Sequence, residues 1–183
     1  MVPLTLSFFL CTGVFGRPAQ MKFSFYSGEY GGSNGHYFDQ SSNQLDGPIT
    51  ALKIGANDRY IFSIQVRYGD SWSNTEGSEV GSPSSTELFL GEGLVQVTGR
   101  FGSYVEYLAF RTNLGRLVAF GPSAGSGMTF DAEPLFPNSV LRYVSGRSGS
   151  LVNALGFHWD QDQFLEMGNQ SSFSTHPPEI TPT

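Results

Sequence analysis

The chain has 183 residues, 39% hydrophobic and only 14% charged, with 23 Gly, 16 Phe and 8 Tyr. That length suits one domain with its own core, and this composition favours short strands joined by tight turns over a helical bundle. The formal net charge of −6 and the scatter of the ten Lys and Arg exclude nucleic acid or an anionic membrane as the main partner, since both need a basic face.

In chain order, residues 1–16 read as a signal peptide, which makes the expected product a secreted protein. Leu4 to Phe15 is mostly apolar, Gly16-Arg17-Pro18 ends it, and the stretch is too short to span a bilayer. The alternative for the same stretch is a buried first strand. The one cysteine, Cys11, lies in this leader, so the mature chain is expected to have no thiol chemistry, Cys-based zinc site or disulfide. Residues 17–22 form a polar connector, and no later stretch is apolar enough to anchor in a membrane.

Residues 23–160 read as one all-β domain. Ile61-Phe62-Ser63-Ile64-Gln65-Val66-Arg67-Tyr68 alternates apolar and polar side chains, the period of a half-buried strand. Clusters of Gly, Asn, Asp and Ser mark turns between such runs. Residues 161–183 form a polar tail with too little apolar content to pack, expected to be disordered. Asn169-Gln170-Ser171 within it is an N-glycosylation sequon.

Three segments superimpose: Gly55 to Tyr68, Gly99 to Thr112 and Gly146 to Trp159. Their leading glycines are 44 and 47 residues apart. Each carries a turn-rich stretch and then a strand with alternating apolar side chains: Ile64, Val66, Tyr68; Leu108, Phe110, Thr112; Leu155, Phe157, Trp159. A repeat of this length fits one four-stranded unit, three of which close around an axis as a β-prism; a β-sandwich is the competing reading. Phe110, Phe157 and Trp159 are assigned to the core.

Four motifs carry a family resemblance. They are Tyr26-Ser27-Gly28-Glu29-Tyr30-Gly31-Gly32, Asn43-Gln44-Leu45-Asp46-Gly47-Pro48-Ile49-Thr50-Ala51-Leu52, Gln65-Val66-Arg67-Tyr68-Gly69 and Ser145-Gly146-Arg147-Ser148-Gly149-Ser150-Leu151. These resemble the zymogen granule membrane protein 16 family, animal secreted jacalin-related lectins, over about residues 23–160. The resemblance implies a β-prism I fold of three four-stranded Greek-key sheets and a mannose-type carbohydrate site at one end. It places that site on the glycine loop Gly31-Gly32-Ser33-Asn34-Gly35 and on the late loop Gly149-Ser150-Leu151-Val152-Asn153. Arg100 to Tyr104 resembles the segment that extends sugar recognition.

The site residues expected are therefore Gly35, Ser150, Leu151, Val152, Asn153 and Tyr104. A neutral hexose presents hydroxyls, and small residues let backbone amides approach them closely. The family's fifth position in the late loop is Asp, whose charge strengthens hydrogen bonds to hydroxyls. Here it is Asn153, which keeps an acceptor and a donor but loses the charge. As a plain turn residue, Asn153 would instead bond nearby backbone. Basic family members carry Lys or Arg after the glycine loop; here His36-Tyr37 follows it, so glycosaminoglycan is not an expected ligand.

Neither a metal nor a cofactor is expected. His36, His158 and His176 sit far apart in sequence with no evident nucleophile–base pair, so the chain reads as a non-enzyme. Two functions compete: a lectin for mannose-type glycans of microbes, mucus or secretory glycoproteins, and a secretory-granule or mucus matrix protein whose sugar pocket is vestigial.

Overall fold

A computed structural model describes residues 23–79 and 81–162. The leader, the connector, the tail beyond residue 162 and the Asn169 sequon lie outside the described residues. Thirteen strands follow one another: β1 (Ser24–Gly31), β2 (His36–Asp39), β3 (Ile49–Ala56), β4 (Ile61–Tyr68), β5 (Ser71–Trp72), β6 (Glu76–Gly77), β7 (Ser84–Glu87), β8 (Leu94–Phe101), β9 (Val105–Thr112), β10 (Leu117–Phe120), β11 (Met128–Ala132), β12 (Ser139–Ser148) and β13 (Val152–Gln161). A single 3-10 turn, Asn43–Asp46, is the one helical element among them, and no described helix is long and apolar enough to cross a membrane.

The strands form three antiparallel sheets. The first has the order β1-β13-β12-β2, so it unites the two ends of the domain. The second runs β5-β4-β3-β7, and the third β10-β9-β8-β11. In the second sheet the outer strand is broken: β5 pairs with one end of β4 and β6 with the other.

The sequence repeat coincides with the central hairpin of each sheet, β3–β4, β8–β9 and β12–β13. Gly55, Gly99 and Gly146 face Ser63, Leu108 and Leu155 across these hairpins. A side chain on Gly55 would strike the Phe62 ring, one on Gly99 the Phe130 ring, and one on Gly146 the Ala154 carbonyl. Within two residues of each glycine the register shifts by a bulge, which bends the hairpin and sharpens its twist. The space over each bend is filled, by an aromatic ring at Gly55 and Gly99 and by a carbonyl at Gly146, which explains why glycine recurs there.

The alternating side chains of β4, β9 and β13 all turn inward. Ile64, Val66, Tyr68, Leu108, Phe110, Leu155 and Phe157 are fully buried, and Thr112 and Trp159 nearly so. These three strands also approach one another pairwise, which places one core on the common axis. Each large apolar side chain buried there contributes roughly 1.5–3 kcal/mol. The two large polar-tipped side chains of the core are paired: Tyr68 Oη donates to Gln40 Oε1 at 2.8 Å, and Trp159 Nε1 to Ser27 Oγ at 2.8 Å. A sandwich of two sheets is thereby excluded.

Candidate functional site

The β12–β13 turn and the loop between β1 and β2 meet at one end of the first sheet. Gly32 donates its amide to the Asn153 carbonyl at 3.0 Å, tying the glycine loop to the start of β13. Gly35 lies over the Asn153 side chain. A Cβ at Gly35 would fall 2.7 Å from Asn153 Oδ1 and 2.7 Å from the Ser148 carbonyl, and its φ of +89° already disfavours any side chain. On the other side a Cβ at Gly149 would stand 3.7 Å from the same oxygen. Two loops distant in sequence thus frame one carboxamide oxygen.

Asn153 is only 4% exposed, yet among the described residues its carboxamide makes no hydrogen bond. Neither of its polar side-chain atoms is sealed from solvent without a partner, so its polar end opens to the surface between the loops. The turn is closed internally by Gly149 N–H donating to the Leu151 carbonyl at 2.9 Å. The amides of Gly35, Ser150 and Leu151 have no hydrogen-bond partner among the described residues. Ser150 and Gly35 are exposed and Leu151 half-buried, whereas Val152 is fully buried with its side chain in the core. Val152, expected as a contact, is 0% exposed and so offers a ligand no surface of its own. An unbonded carboxamide beside loops whose amides are also unbonded suits a small molecule rich in hydroxyls.

Tyr104 sits in the β8–β9 turn next to this cluster. The carbonyl of the adjoining Ser103 is where a Cβ on Gly32 would land, 2.5 Å away, so this turn touches the glycine loop. The Tyr104 ring meets Tyr60 edge-on at 5.3 Å, and Tyr60 belongs to the β3–β4 turn, whose Asn57 Oδ1 accepts the amides of Arg59 and Tyr60. All three repeat turns therefore gather at this end. Arg100 does not join them: it is buried, bonded to Glu106 at 2.9 Å and to the carbonyls of Pro122, Ser123 and Ala124.

Sequence reasoning missed one neighbour of the site. Ser148 Oγ donates to Glu76 Oε2 at 2.8 Å, and burial raises the Glu76 carboxyl above its usual range, partly offset by that hydroxyl. Glu76 comes from β6, 72 residues earlier, and no local motif announces the contact.

The structure also corrects one expectation about the histidines. Ser145 Oγ and His158 Nε2 lie 2.9 Å apart, a serine–histidine pair created by cross-strand register between β12 and β13. Ser145 is 3% exposed, and the His158 ring is stacked against Tyr143 at 4.0 Å and tilted against Tyr26 at 4.6 Å. A buried hydroxyl bonded to a ring packed between two tyrosines ties β12 to β13 across the sheet. Among the described residues no group of three His, Cys, Asp or Glu could hold a metal ion.

Three antiparallel sheets about one axis, with the turns of the repeat gathered at one end, define the β-prism lectin class. The chain belongs to the jacalin-like lectin family, whose domain matches residues 27–158. It is 48% identical over 160 residues to human zymogen granule membrane protein 16, covering 87% of this chain and 95% of that protein; the rat protein is 47% identical over the same length. Among solved structures it resembles a prostate-specific WGA16 glycoprotein lectin at 29% identity, with a TM-score of 0.63, over 76% of this chain and 100% of that one. Artocarpin complexed with Me-alpha-mannose gives a TM-score of 0.63 at 26% identity, over 74% of this chain and 97% of that one.

Proposed function

We propose that this chain is a secreted lectin for mannose-type glycans, with Gly35, Ser150, Leu151 and Asn153 as its primary contacts, Val152 holding the turn from the core beneath them, and Tyr104 at the rim. The observation that carries this reading is the Asn153 carboxamide, nearly buried, unbonded to protein among the described residues, and framed by Gly35 and Gly149. A residue kept only for the turn would bond nearby backbone. The methyl mannose complex of artocarpin supports the sugar class, and the granule-protein relatives support a route through secretory granules.

Asn153 offers one acceptor and one donor where the resemblance expects a charged acceptor. Affinity for a single hexose is accordingly weak, around millimolar or about −4 kcal/mol, and useful binding comes from clustered ligands. That weakness is what favours the second reading, a granule or mucus matrix protein acting through protein contacts.

A glycan array with Asn153→Asp and Asn153→Ala beside the wild type separates the two. Restoring the charge is expected to strengthen mannose binding by about 1 kcal/mol, roughly fivefold, and Asn153→Ala to abolish it. Binding by neither the wild type nor the Asp variant to any glycan would refute the lectin reading and leave the matrix role.

A further inference from the structure

A cavity of about 450 Å³ opens on the outer face of the first sheet, away from the loops. Tyr26, Gln44, Arg142, Tyr143, His158 and Asp160 line it. His158 lies six residues along β13 from Val152, so the cavity is roughly 20 Å from the loop site at ~3.3 Å per residue.

Its floor is a ladder of rings. Tyr26 and Tyr143 are the cross-strand partners of His158 on either side, and the three rings stack across β1, β13 and β12. Gln44, from the 3-10 turn, supplies a carboxamide at the cavity wall.

The charges are what single this cavity out. Every other described Lys or Arg side chain has an acceptor or an aromatic ring at its charged end: Lys53 and Arg67 stand over Trp72, Arg59 over Tyr60, Arg100 bonds Glu106, Arg111 bonds Gln96, Arg116 bonds Glu92 and Arg147 pairs with Glu29. Arg142, half-buried, has neither among the described residues. Asp160 lines the same cavity without pairing to it; its Oδ1 accepts the Gln161 amide at 2.9 Å, and its other oxygen has no partner among the described residues.

An unpaired guanidinium is a planar fork that matches a carboxylate with two parallel hydrogen bonds. An unpaired carboxylate nearby repels a second negative charge and accepts from hydroxyls instead. Flanking aromatic rings cover the apolar face of a sugar. We infer that this cavity is a second saccharide site, for a sugar bearing a single carboxylate: the carboxylate on Arg142, hydroxyls on Asp160 and Gln44, the ring against Tyr143 and Tyr26. One cation beside an acidic residue does not suit a densely sulfated chain.

Titration of the full chain with methyl β-glucuronide, methyl α-N-acetylneuraminide and methyl β-glucoside, followed by NMR chemical shifts, tests this. Either acidic glycoside is expected to shift resonances of the Tyr143–His158 ladder, and whichever does so tells whether an internal uronate or a terminal nonulosonate is the source. Arg142→Gln is expected to weaken that binding at least tenfold and Asn153→Ala to leave it unchanged. Arg142 holds no described partner, so its replacement leaves folding intact; Gln44→Ala, expected to weaken binding severalfold, is the second variant. Equal binding of the neutral glucoside, full retention by Arg142→Gln, displacement by methyl mannoside, or no shift with either acid would overturn the assignment.

Discussion

The β12–β13 and β8–β9 turns occupy the same place in two copies of the repeat, yet one is closed by an ion pair on its polar side chain and the other leaves that side chain open, without a bond among the described residues. Their skeletons agree: Gly149 N–H donates to Leu151 O at 2.9 Å, and Gly102 N–H to Tyr104 O at 2.9 Å. Seven residues beyond the repeat glycine stand Asn153 in one and Glu106 in the other. Each lies beneath glycines of a second loop, Gly35 over Asn153 and Gly127 over Glu106. Glu106 carries the charge that Asn153 lacks, but Arg100 consumes it in an ion pair with side chains only 16% and 7% exposed. Arg147, the repeat counterpart of Arg100, pairs instead with Glu29 at 3.3 Å and leaves the Asn153 carboxamide without a charged partner. The prism supplies equivalent turns; which one keeps its polar side chain unpaired depends on where one arginine reaches.

The largest effect is expected from breaking the closed turn. Arg100→Met leaves a buried carboxylate without its cation and three carbonyls without a donor. Stability in urea denaturation is expected to fall by about 3–5 kcal/mol. Adding Glu106→Gln removes the stranded charge and recovers part of that loss. A cost below about 1 kcal/mol for the single variant would mean the ion pair does not hold this turn.

The open turn breaks differently. Gly35→Ala forces a side chain into a left-handed backbone, which costs about 1–2 kcal/mol, and drives a methyl against Asn153 Oδ1. Mannose binding on the array is expected to drop at least tenfold. Gly115→Ala is the matched control: its φ is +81° and a Cβ there meets nothing within 4 Å, so strain is similar while binding is kept. Equal loss of binding in both variants would make backbone strain, and not pocket geometry, the cause.

The contrast also marks what could be read from the chain. The three glycines and the inward residues of β4, β9 and β13 were legible because both are local periodicities. Asn153 was legible as a motif position, and Tyr104 as a turn residue. Three features were not: the first sheet uniting both ends of the domain, the break between β5 and β6, and the partners of Arg100, Ser148 and His158. The first sheet and the Ser148 partner depend on pairing between strands far apart in sequence, and the others on side-chain reach and register across hairpins and loops, which no local pattern of residue types contains. Asn153's neighbours follow the same rule, for Gly35 reaches it because β1 pairs with β13 and β2 with β12.

The smallest effect concerns the carboxylate beside the open turn. Glu106 has a cation, but Glu76 has only the Ser148 hydroxyl, and burial raises its carboxyl above the ordinary 4.5. A raised value in the folded state means folding favours the protonated form. The stability this adds is fully present below the unfolded value and is lost as pH rises through the folded one. Glu76→Gln keeps an acceptor for Ser148 Oγ and removes the ionisation. Thermal melts are expected to show the variant as stable as the wild type near pH 4 and equal or slightly more stable at pH 7. A variant clearly less stable at pH 7 would mean the ionised carboxylate is welcome there, and that the open turn, like the closed one, has a cation within reach.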